Sequence, residues 1–259
     1  MAMAQGEETF DRYYKNLYGP RWEALRGALS GPPAVSEYRE GLSAPYRLDR
    51  ASVLAARSLV LPGEGLVLDA CAAPGGKSLV IASVMGKGVR LLSNELSGER
   101  RRRLTEVLNG HLDREKRGRV TVSGFDAAKA AGRKSELERF SGVLLDVPCS
   151  SERHVIRNET ALARWTEARP RFLARRQWSL LSAAFLLIKT GASLVYVTCA
   201  LSPEENDGVA ARLLEKYRDR VSLDEPGFPE GEKTRFGRLI LPDQWEGMGP
   251  MYVARFRKR

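Results

Sequence analysis

Apolar residues fall in short continuous runs, separated by longer stretches in which they recur at helical spacing. The runs Leu66 to Cys71, Val89 to Asn94, Arg119 to Ser123, Gly142 to Asp146 and Ala192 to Cys199 predict strands. Their continuity fits strands covered on both faces. Between them the spacing predicts helices. The Gly-rich turn AAPGGK leads into one at Ser78 to Val84. Ser97 can cap a second, whose Leu104, Val107, Leu108 and Leu112 share a face. A weak helix follows to Phe140, and a long one spans Arg171 to Ile188. Pro203 occupies a first-turn position ahead of a helix ending at Tyr217. Val221 to Leu223, Arg238 to Leu241 and Met251 to Phe256 predict later strands in antiparallel edge pairs. Repeated βα units predict a mainly parallel α/β sheet with helices on both faces.

The beginning of the chain reads differently. Residues 8–30 predict a helix, a break at Gly19-Pro20 and a second helix stopped by Gly31-Pro32-Pro33. An irregular stretch runs to about Tyr46. The segment LDRASVLAARSLVLPGEG then predicts a helix and a turn. No linker interrupts the later apolar runs. The expected organisation is an N-terminal helical extension over residues 1–45 and one larger domain over residues 46–259.

Charge narrows the class of partner. Forty-two Lys and Arg against 32 Asp and Glu give a net charge of +10. Basic clusters lie at Arg100 to Arg103, Arg114 to Arg119, Arg164 to Arg176 and Arg255 to Arg259. Such a balance favours a polyanion, because Lys and Arg release counterions from phosphates. No apolar stretch approaches the roughly 20 residues that span a bilayer. The N-terminus MAMAQGEETF lacks a basic apolar leader, so a cytoplasmic location is expected and no membrane partner. The three cysteines are then expected to stay reduced.

Those cysteines each follow an apolar run: Cys71 in LVLDACAAPGGKS, Cys149 in GVLLDVPCSS and Cys199 in SLVYVTCALSPEEN. A thiol at a strand end among polar residues is a candidate nucleophile. Cys149 and Cys199, although 50 positions apart, can meet at the sheet edge where open α/β folds bind ligands. The glycines of the first turn let a ligand approach the backbone, and the helix behind it offers free N–H groups. The turn matches neither the dinucleotide fingerprint nor the phosphate-binding P-loop. Glu95 closes the second strand, where a carboxylate can accept both hydroxyls of a ribose. Asp126 follows the third, within reach of an adenine amine. Three strand-end acids and a Gly turn suit a nucleoside with a charged tail, such as S-adenosylmethionine.

DACAAPGGKS, DVPCSS and VTCALSPEEN together resemble the signature segments of the Nop/Sun family of RNA (cytosine-5) methyltransferases, from about Leu48 to Phe256. FDRYYKNLYGPRW, and DVPCSSERH in place of the more frequent DxPCSG, are similar to the short subgroup that includes mitochondrial rRNA and tRNA enzymes. The resemblance implies a Rossmann-like class I methyltransferase fold, with a seven-stranded sheet and an antiparallel edge. It implies that Cys199 is the nucleophile, that Cys149 assists product release, that Asp146 holds the cytosine edge and also borders the cofactor, and that Pro148 shapes the wall beside the base. It further implies a cofactor site along Cys71, Ala72, Ala73, Pro74, Gly75, Gly76 and Lys77, with Glu95 on the ribose, Arg100 nearby and Asp126 near the adenine. No metal is called for.

The remaining polar residues have plainer expectations. The Cys71 side chain packs as a small hydrophobe. Asp69 fixes the turn, Glu204 and Glu205 stabilise a helix dipole, His154 is an exposed loop residue with a base or an RNA contact as the alternative, and Trp165 and Trp178 pack, with stacking on an unpaired base as the alternative. The expected substrate is an unpaired cytosine in structured RNA, ribosomal RNA first and tRNA second. A DNA cytosine-5 methyltransferase would carry its nucleophile in the Pro-Cys segment, and an idle RNA-binding factor would not need the cofactor turn. No RNA-binding domain is recognised, so the N-terminal helices and the basic surface, or a protein partner, are expected to supply RNA contacts. A monomer is expected.

Overall fold

The computed structural model describes residues 2–259. Two N-terminal helices, α1 (Ala2–Tyr18) and α2 (Trp22–Ser30), are joined by a single 3-10 turn at Gly19–Arg21. A hairpin of β1 (Val35–Tyr38) and β2 (Tyr46–Asp49) follows, then α3 (Arg50–Arg57). The alternating part begins with β3 (Glu64–Asp69), α4 (Gly76–Val84), β4 (Gly88–Asn94), α5 (Gly98–His111), α6 (Arg114–Gly118) and β5 (Val120–Ser123). It continues through β6 (Phe140–Asp146), the short helices α7 (Glu152–Ile156) and α8 (Glu159–Ala163), then α9 (Ala168–Leu187) and β7 (Ile188–Thr198). The chain closes with α10 (Asp207–Tyr217), β8 (Val221–Asp224), β9 (Glu232–Lys233), β10 (Arg238–Ile240) and β11 (Met251–Lys258).

Strands β5, β4, β3, β6 and β7 lie side by side and parallel. β11 is antiparallel to β7. The outer side of β11 is shared: Met251–Val253 pairs with β10, and Arg255–Lys258 pairs with β8. The mainly parallel sheet with an antiparallel edge is as expected, but it has nine strands where seven are expected, filling seven positions before the last stub. Its last position is split between two short strands, and β9 adds a two-residue stub on β10.

The chain leaves β3 toward β4 and β5, then crosses back to β6 on the other side of β3. This reversal opens a crevice at the carboxyl ends of β3 and β6, where such sheets bind ligands. Asp69 lies opposite Leu144, and Asp146 opposite Val197. The Gly turn, the Pro-Cys loop and the Thr-Cys loop thus emerge side by side.

Several predicted elements differ in the structure. The stretch before Tyr46 contains the first strand of a hairpin, unsignalled in the sequence because Val35–Glu37 of β1 are exposed and carry no apolar alternation. The weak helix before Phe140 is two 3-10 turns, at Ala130–Gly132 and Lys134–Glu136. β7 starts at Ile188; its exposed Lys189–Gly191 reads as a turn in the sequence. Pro203 is not in a helix. Residues 203–206 form turns, and α10 starts at Asp207.

The N-terminal helices share the main core. Phe10, Tyr14, Trp22, Leu25 and Leu29 are buried in one cluster with residues of β6, β7 and β11. Trp165 joins them, 5.2 Å from the Phe10 ring. Trp178 is half-buried under the Arg212 guanidinium, 4.7 Å from its ring centre. Among the described residues no helix is long and apolar enough to cross a membrane.

Candidate active site

The turn after β3 is shaped by its glycines. Gly75 precedes α4 at φ 120°, a conformation open to glycine. A Cβ there would lie 3.0 Å from Val107 of α5, so a side chain has neither the backbone nor the room. Asp69 secures the turn from below, as expected. It is buried, and the Ser78 hydroxyl donates to its Oδ2 at 2.6 Å. Its Oδ1 has no protein partner, and burial pushes its carboxyl up to about 7.

Two cavities flank this turn and meet at Cys71. One, of 370 Å³, is lined by Glu95, Arg100, Asp126 and Pro148. The other, of 210 Å³, is lined by Ala72, Ala73, Pro74, Gly76, Lys77 and Asp146. The residues predicted for a nucleoside cofactor therefore come together, except that Gly75 shapes the turn without lining either cavity. Cys71 borders both cavities, so it is not merely packed in the core. Burial drives its thiol up to about 12, which leaves it inert as a nucleophile. Pro148 lines the Glu95 cavity, not the cavity at Cys199.

The polar groups fit the predicted ligand. Glu95 is buried, and its Oε1 accepts the Ser97 N–H at 2.9 Å. Its Oε2 makes no hydrogen bond and sits 3.4 Å from the Arg100 guanidinium. A buried carboxylate oxygen left free beside a cavity suits a ribose hydroxyl. Arg100 donates to the Ala73 carbonyl at 2.9 Å and so ties the turn to α5. Lys77 donates to Asp146 Oδ2 at 2.8 Å and to Ser52 Oγ at 3.2 Å. Burial alone would lower the lysine, but the Asp146 charge outweighs it and holds Lys77 above its ordinary range.

The second half of the site is at the thiols. The Sγ atoms of Cys149 and Cys199 are 2.7 Å apart. The Cys199 N–H donates to Cys149 Sγ at 3.3 Å. Hydrogen bonding to Cys199, together with burial, pushes the Cys149 thiol well above the usual range. Cys199 opens into a third cavity, of 480 Å³, lined also by Asp49, Ser151, Arg153, His154 and Arg157. Asp49 accepts N–H groups from Ala51 and Gly249, which fixes the floor of that cavity. His154 is exposed, as expected, but it lies in α7 and not in a loop, and it belongs to the cavity wall.

Two buried glutamates bind the thiol loops together. Glu205 is not a dipole residue: it is buried, and its Oε2 accepts Ser150 N at 3.0 Å and Gln177 Nε2 at 2.7 Å. Gln177 also donates to the Pro148 carbonyl at 3.0 Å. Glu152 accepts from Leu201 N at 3.0 Å and from the Ser150 and Tyr14 hydroxyls. Helix α1 adds two more contacts: Tyr18 donates to the Leu201 carbonyl, and Tyr13 bonds Ser202. The N-terminal helix thus braces the loop that carries Cys199. Glu204 lies on the surface, 3.4 Å from Arg171, and is not a dipole residue either. Nothing local distinguishes Glu205 from Glu204. The Ser150 that decides the matter is 55 positions away.

The buried acids have a consequence for stability. Burial, reinforced by Glu152, pushes Glu205 up to about 7, and Asp69 is raised to about 7 by burial. Unfolded, both return to roughly 4. The folded chain then keeps protons that the unfolded chain has lost, so their contribution is full below pH about 4 and is lost as pH rises through about 7. Urea melts are expected to show lower stability at pH about 8 than at pH about 5, with the drop reduced in Glu205→Gln. A Glu205→Gln profile parallel to that of the unchanged protein would contradict this.

Comparison with known proteins gives a consistent set of similarities. A family model described as 16S rRNA methyltransferase RsmB/F matches residues 57–257. Ribosomal RNA small subunit methyltransferase F of Aeromonas salmonicida is 39% identical over 200 residues, which cover 75% of this chain and 40% of that protein. The 5-cytosine rRNA methyltransferase NSUN4 of Bos taurus is 32% identical over 247 residues, covering 89% of this chain and 64% of that protein. The crystal structure of NSun6 from Pyrococcus horikoshii with SFG aligns with a TM-score of 0.69 at 25% identity, covering 85% of this chain and 54% of that one. The chain spans less than two thirds of the length of these relatives.

Proposed function

The chain belongs to the 16S rRNA methyltransferase RsmB/F family, and on that premise we propose that it methylates carbon 5 of a cytosine in ribosomal RNA. The observation that carries this reading is the pair of sulfurs, 50 positions apart in sequence and 2.7 Å apart at the edge of the cofactor crevice. The Gly turn, Lys77, Glu95 and Asp126 would hold S-adenosylmethionine, whose sulfonium would give up an electrophilic methyl group and leave as the neutral thioether. Carbon 5 of cytosine is too weak a nucleophile to take it unaided. Addition of the Cys199 thiolate to carbon 6 forms an S–C bond and makes carbon 5 enamine-like. The charge that this addition pushes onto the ring is taken up by a proton at N3, delivered at the edge of the base that Asp146 holds. After carbon 5 is methylated, its proton is lost to water, the ring double bond re-forms, and the Cys199 sulfur is expelled with help from Cys149. Residues 46–259 carry this chemistry. Residues 1–45 contribute the brace on the Cys199 loop.

The 480 Å³ cavity beside Cys199 has the size and the cationic wall to take an unstacked nucleotide. The start of α9 adjoins the Pro-Cys loop, where Arg169 donates to the Ser150 carbonyl at 3.5 Å. Arg169, Arg171, Phe172, Arg175 and Arg176 are all exposed there, Phe172 by 68%. Cations with a free aromatic ring suit a single-stranded RNA segment. Binding to RNA without any partner protein is expected to weaken by roughly tenfold or more between low and physiological salt, checked by filter binding. A flat response would contradict the basic surface.

The test of the activity is direct. With methyl-labelled S-adenosylmethionine and small-subunit rRNA, label is expected in 5-methylcytidine after nuclease digestion. Label on tRNA alone would move the substrate to the second candidate. Label in another nucleoside, or none on any RNA, would contradict the proposal.

A further inference from the structure

Ser151 holds a backbone conformation that its side chain does not favour. Its φ of 54° and ψ of 59° are left-handed, which costs a residue other than glycine or asparagine about 1 kcal/mol. The motif resembled at this point more often reads glycine, so the hydroxyl stands where glycine would carry no such cost. Such strain persists when something else over-determines it.

The contacts of Ser151 show what that is. Its Oγ lies 3.2 Å from Cys199 Sγ, 3.5 Å from Cys149 Sγ and 3.4 Å from the Cys149 carbonyl oxygen. It also lines the 480 Å³ cavity beside Cys199. Among the described residues no other hydroxyl bonds the Cys199 sulfur. A hydroxyl has one hydrogen to give. While Cys199 is a neutral thiol, the nearby carbonyl is the stronger acceptor. Once Cys199 is a thiolate, a charge-assisted bond to sulfur prevails.

We propose that Ser151 is a catalytic residue that donates its hydroxyl hydrogen to the Cys199 thiolate, readying the sulfur for attack and receiving the charge again when it is expelled. The proposal rests on Cys199 being the nucleophile. The hydroxyl keeps its proton throughout. A donor that raises the thiolate population tenfold lowers the intrinsic nucleophilicity of sulfur only about threefold, so the net gain in attack is about threefold. Expulsion of the thiolate gains as well, because a better-stabilised sulfur leaves faster.

Two substitutions separate the hydroxyl from the backbone. Ser151→Ala removes the donor and keeps the left-handed strain. Ser151→Gly removes both. Alkylation of Cys199 by iodoacetamide at neutral pH, followed on its peptide by mass spectrometry, needs no RNA. Both variants are expected to alkylate Cys199 at least about threefold more slowly and to lose methyl transfer in parallel. Ser151→Gly is expected to melt no lower than the unchanged protein. Alkylation at the original rate in either variant overturns the proposal. Loss in Ser151→Gly without loss in Ser151→Ala would assign the effect to the backbone and also overturn it. Cys199→Ala keeps the two readings apart: retained methyl transfer would remove the nucleophile assignment. Its loss, combined with unchanged alkylation in both Ser151 variants, would remove only the role of Ser151.

Discussion

Cys199→Ala is expected to abolish methyl transfer to RNA, by at least about 10⁴-fold, while S-adenosylmethionine binds within about twofold of its original affinity. The size of the loss follows from the chemistry: without a thiolate at carbon 6 there is no activated carbon 5. The separation from binding follows from the geometry. Cys199 lines the 480 Å³ cavity, whereas the Gly turn, Glu95 and Asp126 line the two cavities that meet at Cys71. Cys149→Ala is expected to behave differently. It keeps the nucleophile and loses the group that assists release, so a covalent protein–RNA species should accumulate on denaturing gels. Calorimetric titration and a turnover assay on the two variants check both statements. Turnover retained by Cys199→Ala, with an inactive and adduct-free Cys149→Ala, would reverse the roles.

Asp146→Asn is expected to lower turnover by about a hundredfold or more, since an amide cannot carry a proton to N3 of the base as a carboxyl group can. It has a structural cost too. The side chain of Lys77 is only 12% exposed and donates to Asp146 at 2.8 Å. Asparagine leaves that ammonium with the Ser52 hydroxyl alone. Breaking a fully buried pair costs about 3–5 kcal/mol. Asp146 is 28% exposed, so roughly 1–3 kcal/mol is expected after solvent screening. Replacing Lys77 with Met in the same chain should recover much of the stability and none of the turnover. Cofactor affinity in Asp146→Asn should fall less than about tenfold, because Glu95 and the turn remain. A parallel loss of affinity and turnover would assign the carboxylate to the cofactor alone.

Much of the site was legible because its residues sit at strand ends, and strand ends are marked by apolar runs. Asp146 and Cys149 follow one run and Cys199 another, and the parallel order of β6 and β7 does the rest. Glu95 and Asp126 were readable for the same reason and line one cavity. The supporting residues were not legible. Glu152 and Glu205 look like ordinary surface acids until the fold brings Ser150, Leu201 and Tyr14 to them from distant segments. The three tyrosines of α1 read as a helix face, and only the packing shows them holding the Cys199 loop. Pro203 had the character of a helix start, but the buried bonds of Glu205 keep that segment in turns and delay α10 to Asp207. Local periodicity located the elements and their ends. It carried no information on which polar groups would be desolvated together.

In this mechanism Cys199 attacks the base while Cys149 stands beside it. The most direct measurement of this is peptide mapping of the covalent adduct formed with RNA containing 5-azacytidine, in the presence of S-adenosylmethionine. The expected result is an adduct on the peptide that carries Cys199. An adduct on the peptide that carries Cys149, or no covalent adduct under conditions where methyl transfer proceeds, would contradict it.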